Sequence, residues 1–205
     1  MKVHIIGNKG NMGRRYSAIC TRFDVPFDGS DRCERPDVES ASHVIIATPT
    51  NTHVDLIRYV LEHSEAKILC EKPIEIGPAL IANETDRLFM VNNYAYCAGS
   101  VPRYEDSRTE YNYYHSGPHG LVWDCIQLVH LAAGSISLRN ENPVWKCVIN
   151  GFYLERSQID SSYVVMLFDF LADKPMQLWG SKDIIEAHAK ALHEESHNRY
   201  PSEIG

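Results

Sequence analysis

Short apolar runs that end in polar turns recur through the first 95 residues, and they constrain the fold more than any other feature. Each run has three or four residues, and segments with helical periodicity separate them. Apolar strands that alternate with helices are typical of a parallel sheet covered on both faces. The sequence therefore predicts an α/β unit over residues 1–95. Its strands are expected at residues 3–6, 25–27, 44–47, 68–70 and 88–91, and its helices at residues 14–23, 52–63 and 78–86.

A glycine-rich turn follows the first predicted strand and opens the first predicted helix. Gly10 would let backbone approach a phosphate, and Gly13 would let the helix pack closely on the strand. Asn8 occupies the place of the usual first glycine, and asparagine tolerates a left-handed turn better than most residues. The helix N-terminus adds free N–H groups and partial positive charge. The turn predicts a dinucleotide site that includes Gly7, Asn8, Gly10, Asn11, Met12 and Gly13.

Asp28 is the acidic residue expected roughly 20 residues after such a turn, at the end of the second predicted strand. A carboxylate there can accept both ribose hydroxyls of NAD and would repel the 2′-phosphate of NADP. The alternative is a turn-forming role in Asp28-Gly29. Arg32 lies close enough along the chain to favour the phosphate instead. The residues thus favour NAD and leave NADP possible.

Two further polar turns end the third and fourth predicted strands. Thr48-Pro-Thr-Asn-Thr-His53 follows one, and Glu71-Lys72-Pro73 follows the other. In α/β sheets, ligands bind at the carboxyl ends of the strands, so a cofactor or substrate is expected beside both turns. A lysine placed there can act as general acid or base. The alternative for Lys72 is a solvated loop lysine.

The two turns together resemble the Gfo/Idh/MocA oxidoreductases, and the resemblance covers roughly residues 1–95. It implies a Rossmann-type parallel sheet domain followed by an α+β domain with a mainly antiparallel sheet. It also implies that the turns contact the cofactor, with Glu71 touching it and Lys72 beside the nicotinamide and the substrate carbinol. There the cationic nicotinamide would depress the lysine pKa. His53 is expected near the pyrophosphate or ribose, or else as a capping or surface residue. The implied cofactor contacts are Thr48, Pro49, Asn51, His53, Glu71, Lys72 and Pro73.

A helix of the family's second domain carries Asp-x-x-x-His-x-x-Asp, whose Asp and His work with the lysine. Here Asp124 matches, but Leu128 stands at the histidine position. Deleting one residue would bring Gln127 and His130 to the two later positions. The resemblance therefore implies a catalytic set of Lys72, Asp124, Gln127 and His130. Asp124 would orient the lysine or substrate, and Gln127 cannot titrate. The alternatives are a polar Asp124 on a half-buried helix and a packed or surface His130.

Residues 96–205 are interpreted as a truncated α+β domain for substrate binding or oligomerisation, because family members commonly exceed 300 residues. Asn150-Gly151 indicates a two-residue hairpin. A small sheet leaves a face for a partner chain, so we expect a homodimer or higher homo-oligomer. Strands are expected at residues 109–115, 144–149, 152–155, 162–170 and 176–179, and helices at residues 121–133 and 181–197.

Charge and composition narrow the functional classes. The net charge of −7 and pI near 5.8 argue against binding to nucleic acid or anionic membrane. No apolar run is long enough to span a bilayer, and the N-terminus lacks a signal-peptide pattern. Six cysteines without a Cys-x-x-Cys motif indicate reduced thiols in a cytoplasmic protein. No set of residues completes a metal site.

The leading functional hypothesis is a nicotinamide-dependent oxidoreductase. It would move hydride between a secondary alcohol and its ketone, and the resemblance implies a polyol, sugar or nucleotide sugar as the small-molecule substrate. One alternative is a catalytically inactive NAD(P)-binding sensor or assembly protein, which the missing histidine and short second domain favour. Another is a reductase of a non-sugar substrate, as in biliverdin reductase.

Overall fold

A computed structural model describes the chain in segments that fall into two compact units, with the boundary after Val91. The predicted boundary at residue 95 stays a prediction. The predicted elements at 121–133, 152–155, 176–179 and 181–197 lie outside the described residues, as does 78–86 except for its last residue. The described residues are 1–31, 34–72, 74, 86–91, 93–96, 108–113, 136–141, 144–150 and 156–174.

The first unit is built on a five-stranded parallel sheet, which confirms the predicted α/β architecture. Its strand order is β2-β1-β3-β4-β5. Every residue of β1 and of β3 is buried, as expected for central strands covered on both faces. The strands are β1 (Val3–Ile6), β2 (Phe27–Ser30), β3 (His43–Ile46), β4 (Lys67–Cys70) and β5 (Leu88–Met90).

Among the described residues, this strand order is that of a Rossmann sheet without the outermost strand on the β2 side. The chain crosses from β2 to β3 through residues 31–42, whose described part contains neither helix nor strand. From β1 the chain passes to β2 on one side, and later elements are added on the side of β3. The order therefore reverses between β1 and β3, and ligands of open α/β sheets bind at such a switch point.

Strand β2 begins at Phe27 and ends at Ser30, so the prediction that the second strand ends at Asp28 is wrong. Val25 is not part of the strand because its N–H donates to the Cys20 carbonyl at the end of the preceding helix, at 2.9 Å. Pro26 has no N–H to give to a ladder. The pairing with β1 instead starts with Val3 opposite Phe27 and continues past Gly29.

Two helices cover the parallel sheet in the described part of this unit. Helix α1 (Asn11–Arg22) starts directly after the glycine turn and buries Tyr16, Ile19 and Cys20. Helix α2 (His53–His63) follows a single 3₁₀ turn, Thr50–Thr52. Its buried residues His53, Ile57 and Val60 have the i, i+4, i+7 spacing of an amphipathic helix. Each helix therefore begins at the carboxyl edge of the sheet.

In the second unit, three strands pair as an antiparallel sheet in the order β6-β8-β7. They are β6 (Arg108–Tyr113), β7 (Ile136–Glu141) and β8 (Val144–Asn150). β6 and β7 pair with the two edges of β8, and the predicted hairpin partner at residues 152–155 lies outside the described residues. The pairing of β7 with β8 runs from Ile136 opposite Ile149 to Glu141 opposite Val144.

Residues 162–170, predicted as a strand, lie in helix α3 (Arg156–Leu171), so that prediction is also wrong. Short apolar runs fit both helical and strand periods, and Val164 to Phe168 is such a run. The buried residues Ser162, Tyr163, Met166, Leu167 and Phe170 follow the helical spacing. The chain also forms a 3₁₀ turn at Asn93–Tyr96, and the Asn93 Nδ2 donates to the Ser162 Oγ at 3.4 Å. Among the helices in the described part of the chain, none is long and apolar enough to cross a membrane.

Candidate functional site

Three turns meet at the carboxyl edge of the parallel sheet and form the candidate site. They are residues 7–13 after β1, residues 48–53 after β3 and residues 71–72 after β4. Backbone hydrogen bonds extend the ladder to this edge, from Ala47 N to Ile6 O at 2.9 Å and from Glu71 N to Ile46 O at 2.8 Å. The predicted residues of these turns are thus brought together, although Pro73 lies outside the described residues.

The glycine turn depends on two positions where a side chain cannot fit. Gly7 has φ of +85°, and a Cβ there would lie 2.7 Å from the Ala47 carbonyl oxygen. A Cβ on Gly13 would overlap the Gly7 carbonyl oxygen and lie 2.7 Å from the Asn8 Cα. Glycine is therefore required at both positions because backbone atoms cannot yield as flexible side chains can. The first turn of α1 is packed directly against the end of β1.

The start of α1 is suited to an anionic ligand. Gly10 is the N-cap and supplies no side-chain hydrogen bond, and the first helical turn contains no acidic residue. The first N–H groups of a helix have no partner within the helix, and the helix dipole favours negative charge there. Gly10 and Asn11 are exposed and Met12 is half-buried, so a phosphate can approach this end of the helix.

Asn8 carries a buried acceptor beside the glycine turn. Its Oδ1 has no hydrogen-bond partner among the described residues. Its side chain lies against β2, since a Cβ on Gly29 would be 2.7 Å from the Asn8 Nδ2. An unpaired buried acceptor costs about 1–3 kcal/mol. A hydroxyl group of a ligand could satisfy it.

Asp28 does not lie at the carboxyl edge. It is opposite His4 in the pairing of β1 with β2, two residues before the strand ends. Its Oδ2 is 3.1 Å from the Lys2 Nζ, and its Oδ1 is hydrogen-bonded to the His4 Nδ1. The His4 Nε2 is 3.0 Å from the Ser30 Oγ. The carboxylate expected to bind ribose is therefore engaged by neighbours within the sheet.

Asp31 is the acidic residue that follows the end of β2. It comes directly after Ser30, whose carbonyl accepts hydrogen bonds from Gly7 N at 2.8 Å and Asn8 N at 3.3 Å. Its Oδ2 is 3.6 Å from the Nζ of Lys9, which belongs to the glycine turn. Sequence reasoning missed Asp31 because it placed the end of the strand too early. The signal was Pro26, which has no N–H to donate and therefore favours a strand that begins after it.

Side-chain hydrogen bonds from His53 and Thr52 stabilise the turn after β3. The His53 Nε2 donates to the Thr48 carbonyl at 2.8 Å, and the His53 side chain is fully buried. The Thr52 Oγ1 is 2.7 Å from both the Thr48 Oγ1 and the Pro49 carbonyl. His53 is therefore not a surface residue, and its Nε2 is directed at the turn. Pro49 and Asn51 are exposed on the turn itself.

Glu71 turns inward from the end of β4. Its side chain is buried, and its Oε1 accepts a hydrogen bond from the Tyr16 hydroxyl at 2.7 Å. Its Oε2 accepts one from the Lys72 backbone N–H at 3.4 Å. Burial raises the pKa of the Glu71 carboxyl, and the Tyr16 hydrogen bond and the positive charge of Lys72 oppose that rise. Lys72 itself is half-buried at the sheet edge.

The predicted partners Asp124, Gln127 and His130 lie outside the described residues. Their part in catalysis stays a prediction. The described side of the candidate site is therefore the edge of the parallel sheet, which offers an uncapped helix N-terminus, a carboxylate after β2 and a lysine after β4.

Comparison with known proteins agrees with this geometry. Residues 3–89 match the model of the Gfo/Idh/MocA family, described as an oxidoreductase family with an NAD-binding Rossmann fold. No curated protein matches the chain significantly. The crystal structure of a probable dehydrogenase from Thermotoga maritima is similar, with a TM-score of 0.60 and 12% identity over 95% of this chain and 97% of that chain. At that identity the likeness shows the fold alone. Residues 3–89 therefore match the Gfo/Idh/MocA oxidoreductase family, which confirms the resemblance that the polar turns predict.

Proposed function

We propose that the chain is a nicotinamide-dependent oxidoreductase that transfers hydride between a secondary alcohol and its ketone, with NAD as the preferred cofactor. The observation that carries this proposal is the meeting of the glycine turn and Lys72 at one edge of a family-matched sheet. An anion site and a titratable lysine at the same edge are what hydride transfer from an alcohol requires.

The residues at this edge fit a dinucleotide. The exposed N-terminus of α1 would receive the pyrophosphate, and the unpaired Asn8 Oδ1 would accept a hydrogen bond from a cofactor hydroxyl. When bound, the cofactor supplies the hydride acceptor or donor. The turn residues proposed to line it are Gly7, Asn8, Gly10, Asn11, Met12, Gly13, Thr48, Pro49, Asn51, Lys72 and Pro73.

Asp31 supports the preference for NAD. A carboxylate directly after β2 can accept the two ribose hydroxyls, whereas a 2′-phosphate would meet its negative charge. Glu34 adds a second carboxylate nearby, with its Oε2 2.8 Å from the Asp31 N. Lys9 lies 3.6 Å from both carboxylates and offsets only one of the two charges. The ribose role expected of Asp28 is therefore assigned to Asp31.

Lys72 is the proposed acid and base. As the carbinol C–H bond breaks and hydride passes to the cofactor, the O–H proton would pass to the Lys72 amine, and the reverse reaction would return it. Asp124, Gln127 and His130 remain its proposed partners from the second domain. The family resemblance favours a polyol, sugar or nucleotide sugar, but no described residue distinguishes these from other alcohols.

Binding and turnover of a Lys72→Ala variant test the proposal. We expect NADH affinity to change little and turnover to fall by about 10²- to 10⁴-fold, the usual contribution of general acid–base catalysis. Affinity is measured by calorimetry and turnover by NADH absorbance over a panel of alcohols and ketones. Lys67→Ala is the matched control because Lys67 begins the same strand at the opposite sheet edge. Unchanged turnover in Lys72→Ala would contradict the assigned role.

A sensor without dehydrogenase activity is the second candidate, favoured by Leu128 at the position of the family's histidine. Tight NADH binding without turnover of any panel member would support it. Turnover confined to non-sugar carbonyl compounds would support the biliverdin reductase alternative. Three further proposals are a substrate-binding or oligomerisation role for residues 96–205, a homo-oligomer and a cytoplasmic location. Light scattering tests the homo-oligomer, and cell fractionation tests the location.

A further inference from the structure

A buried tyrosine joins two turns of the candidate site that are far apart in sequence. Tyr16 lies in α1, is fully buried, and donates its hydroxyl hydrogen bond to the Glu71 Oε1 at 2.7 Å. This bond passes from the helix after β1 to the end of β4, across the position of β3. Movement of Glu71 is therefore restricted by the same helix that starts at the glycine turn.

Glu71 transmits this restraint to the neighbouring lysine. Its second oxygen accepts the Lys72 backbone N–H at 3.4 Å, and its own N–H is bonded to Ile46 O at 2.8 Å. Three hydrogen bonds thus hold the residue directly before Lys72, one from each of α1, β3 and the turn. Because its four single bonds rotate, the covalent structure of a lysine side chain does not fix the direction of its amine.

The hydrogen bond from Tyr16 affects the ionisation of the buried Glu71 carboxyl. Burial and desolvation raise the Glu71 carboxyl pKa, and the Tyr16 hydrogen bond is the largest influence that lowers it. The positive charge of Lys72 and the charge of His53 on α2 act in the same direction. Loss of the phenol hydroxyl would leave a buried carboxylate oxygen without its donor, which favours protonation or movement of the side chain.

We propose that Tyr16 is a positioning residue for Lys72, acting through the Glu71 carboxylate to fix the lysine at the sheet edge. This inference rests on the proposed function, in which Lys72 transfers the substrate proton. It assigns a role in catalysis to a residue that touches neither cofactor nor substrate. It also explains why Glu71 faces the interior, although the family resemblance implied that Glu71 contacts the cofactor.

Tyr16→Phe tests the inference because it removes one oxygen and keeps the buried ring. We expect kcat to fall about tenfold, as for a lost hydrogen bond to a buried charged group, with NADH affinity nearly unchanged. The acid limb of the kcat–pH profile should move to higher pH, since the bond that lowers the Glu71 pKa is gone. Tyr59→Phe is the matched control, because the Tyr59 hydroxyl donates to the Pro36 carbonyl at 3.1 Å.

A double variant separates action through Glu71 from a general structural effect. In a Glu71→Ala background, Tyr16→Phe should have little further effect on kcat and none on the acid limb, because the acceptor of the Tyr16 hydrogen bond and the titrating carboxyl are both absent. Additive losses, equal losses in both tyrosine variants, or a fall in NADH affinity equal to the fall in kcat would each overturn the proposal.

Chemical labelling of lysine distinguishes failure of this inference from failure of the proposed function. The acetylation rate of Lys72 with acetic anhydride, read by mass spectrometry against pH, needs no substrate. We expect the Lys72 rate profile to shift in Tyr16→Phe and to stay unchanged in Tyr59→Phe. If the wild-type protein shows no turnover but this shift occurs, the positioning role stands and the oxidoreductase proposal fails. An unchanged Lys72 profile in Tyr16→Phe overturns the positioning role.

Discussion

At the residue scale, two nearby aspartates have different surroundings because β2 ends between them. The Asp28 carboxylate contacts Lys2 and His4 within the sheet, and Asp31 follows the strand end next to the glycine turn. A shift of three positions along a strand moves a side chain by about 10 Å. The location of a single strand end therefore decides which carboxylate can reach a ribose at the carboxyl edge.

Substitution of the two aspartates should separate cofactor selection from stability. Asp31→Ala is expected to lower NADH affinity by roughly tenfold and to reduce discrimination against NADPH, since the proposed ribose acceptor is lost. Asp28→Ala should leave the ratio of NADH to NADPH affinity unchanged and reduce only the free energy of unfolding. Calorimetric titration with both cofactors measures this. A changed ratio in Asp28→Ala alone would return the ribose role to Asp28.

Glu71 makes stability depend on pH in a defined direction. Its folded pKa is raised above the ordinary value of 4.5 by burial, so the folded protein binds the proton more tightly than the unfolded chain. The free energy of unfolding should therefore fall as pH rises from about 4.5 through the folded pKa, and stay level above it. Glu71→Gln removes this dependence and still accepts the Tyr16 hydrogen bond.

Urea unfolding across this pH range checks the prediction. Glu71→Gln should gain stability relative to the wild-type protein as pH rises, with the smallest difference at the acid end. Glu65→Gln is the control, because the Glu65 side chain is 97% exposed, whereas the Glu71 side chain is buried. A stability difference between Glu71→Gln and wild type that is independent of pH would show that the Glu71 pKa is not raised in the folded state.

At the element scale, the junction of β1 and α1 has two glycines with different functions. A Cβ on Gly13 would overlap the Gly7 carbonyl oxygen, whereas a Cβ on Gly10 would approach that atom no closer than 3.3 Å. Gly10 also has an ordinary φ of −74°. Gly13 is thus needed for helix–strand packing, whereas Gly10 is free to serve a ligand.

Alanine at each position should show that difference. Gly13→Ala is expected to destabilise the protein by about 2–4 kcal/mol, because backbone atoms must move to admit the methyl group. Gly10→Ala should cost less than about 1 kcal/mol and instead weaken NADH binding, since the methyl group lies where phosphate is expected. Chemical denaturation and calorimetry measure the two effects. Equal stability losses would contradict the separate roles.

The strands and helices also show how much of the fold the local sequence pattern predicts. The apolar runs of β1, β3 and β4 and the glycine turn predict the parallel sheet and the position of α1, because burial on both faces and backbone clearance are local requirements. The run in α3 misleads, because Val164 and Val165 favour a strand by propensity. Contacts of α3 with the Asn93–Tyr96 turn, including Asn93 with Ser162, favour the helix instead.

At the scale of the whole molecule, the family match covers the parallel unit, and the fold likeness to the Thermotoga maritima protein extends over both units. The candidate cofactor residues that the structure describes all belong to the first unit. Ligand effects should therefore concentrate there. The backbone of β6, β7 and β8 lies in the second unit and offers an internal comparison within the same chain.

Cofactor binding should stabilise the protein and protect the three turns. At NADH concentrations about 100 times Kd, the free energy of unfolding should rise by about 2.7 kcal/mol. Hydrogen exchange should slow in residues 7–13, 48–53 and 71–72, with smaller changes in β6 to β8. Denaturation with mass-spectrometric exchange measures both effects. Protection confined to the second unit would place the nucleotide away from the parallel sheet.

The sequence by itself determined the family resemblance of the first unit, the parallel sheet and the edge at which the candidate site lies. Apolar runs, glycine clearance and the turns at Thr48 and Glu71 act over a few neighbouring residues, so they can be read without a structure. The tertiary structure decided which acid reaches the edge, where Glu71 points and that residues 156–171 are helical. Those outcomes depend on pairing between Val3 and Phe27, on Tyr16 and on Asn93, which are distant in sequence and meet only in the folded chain.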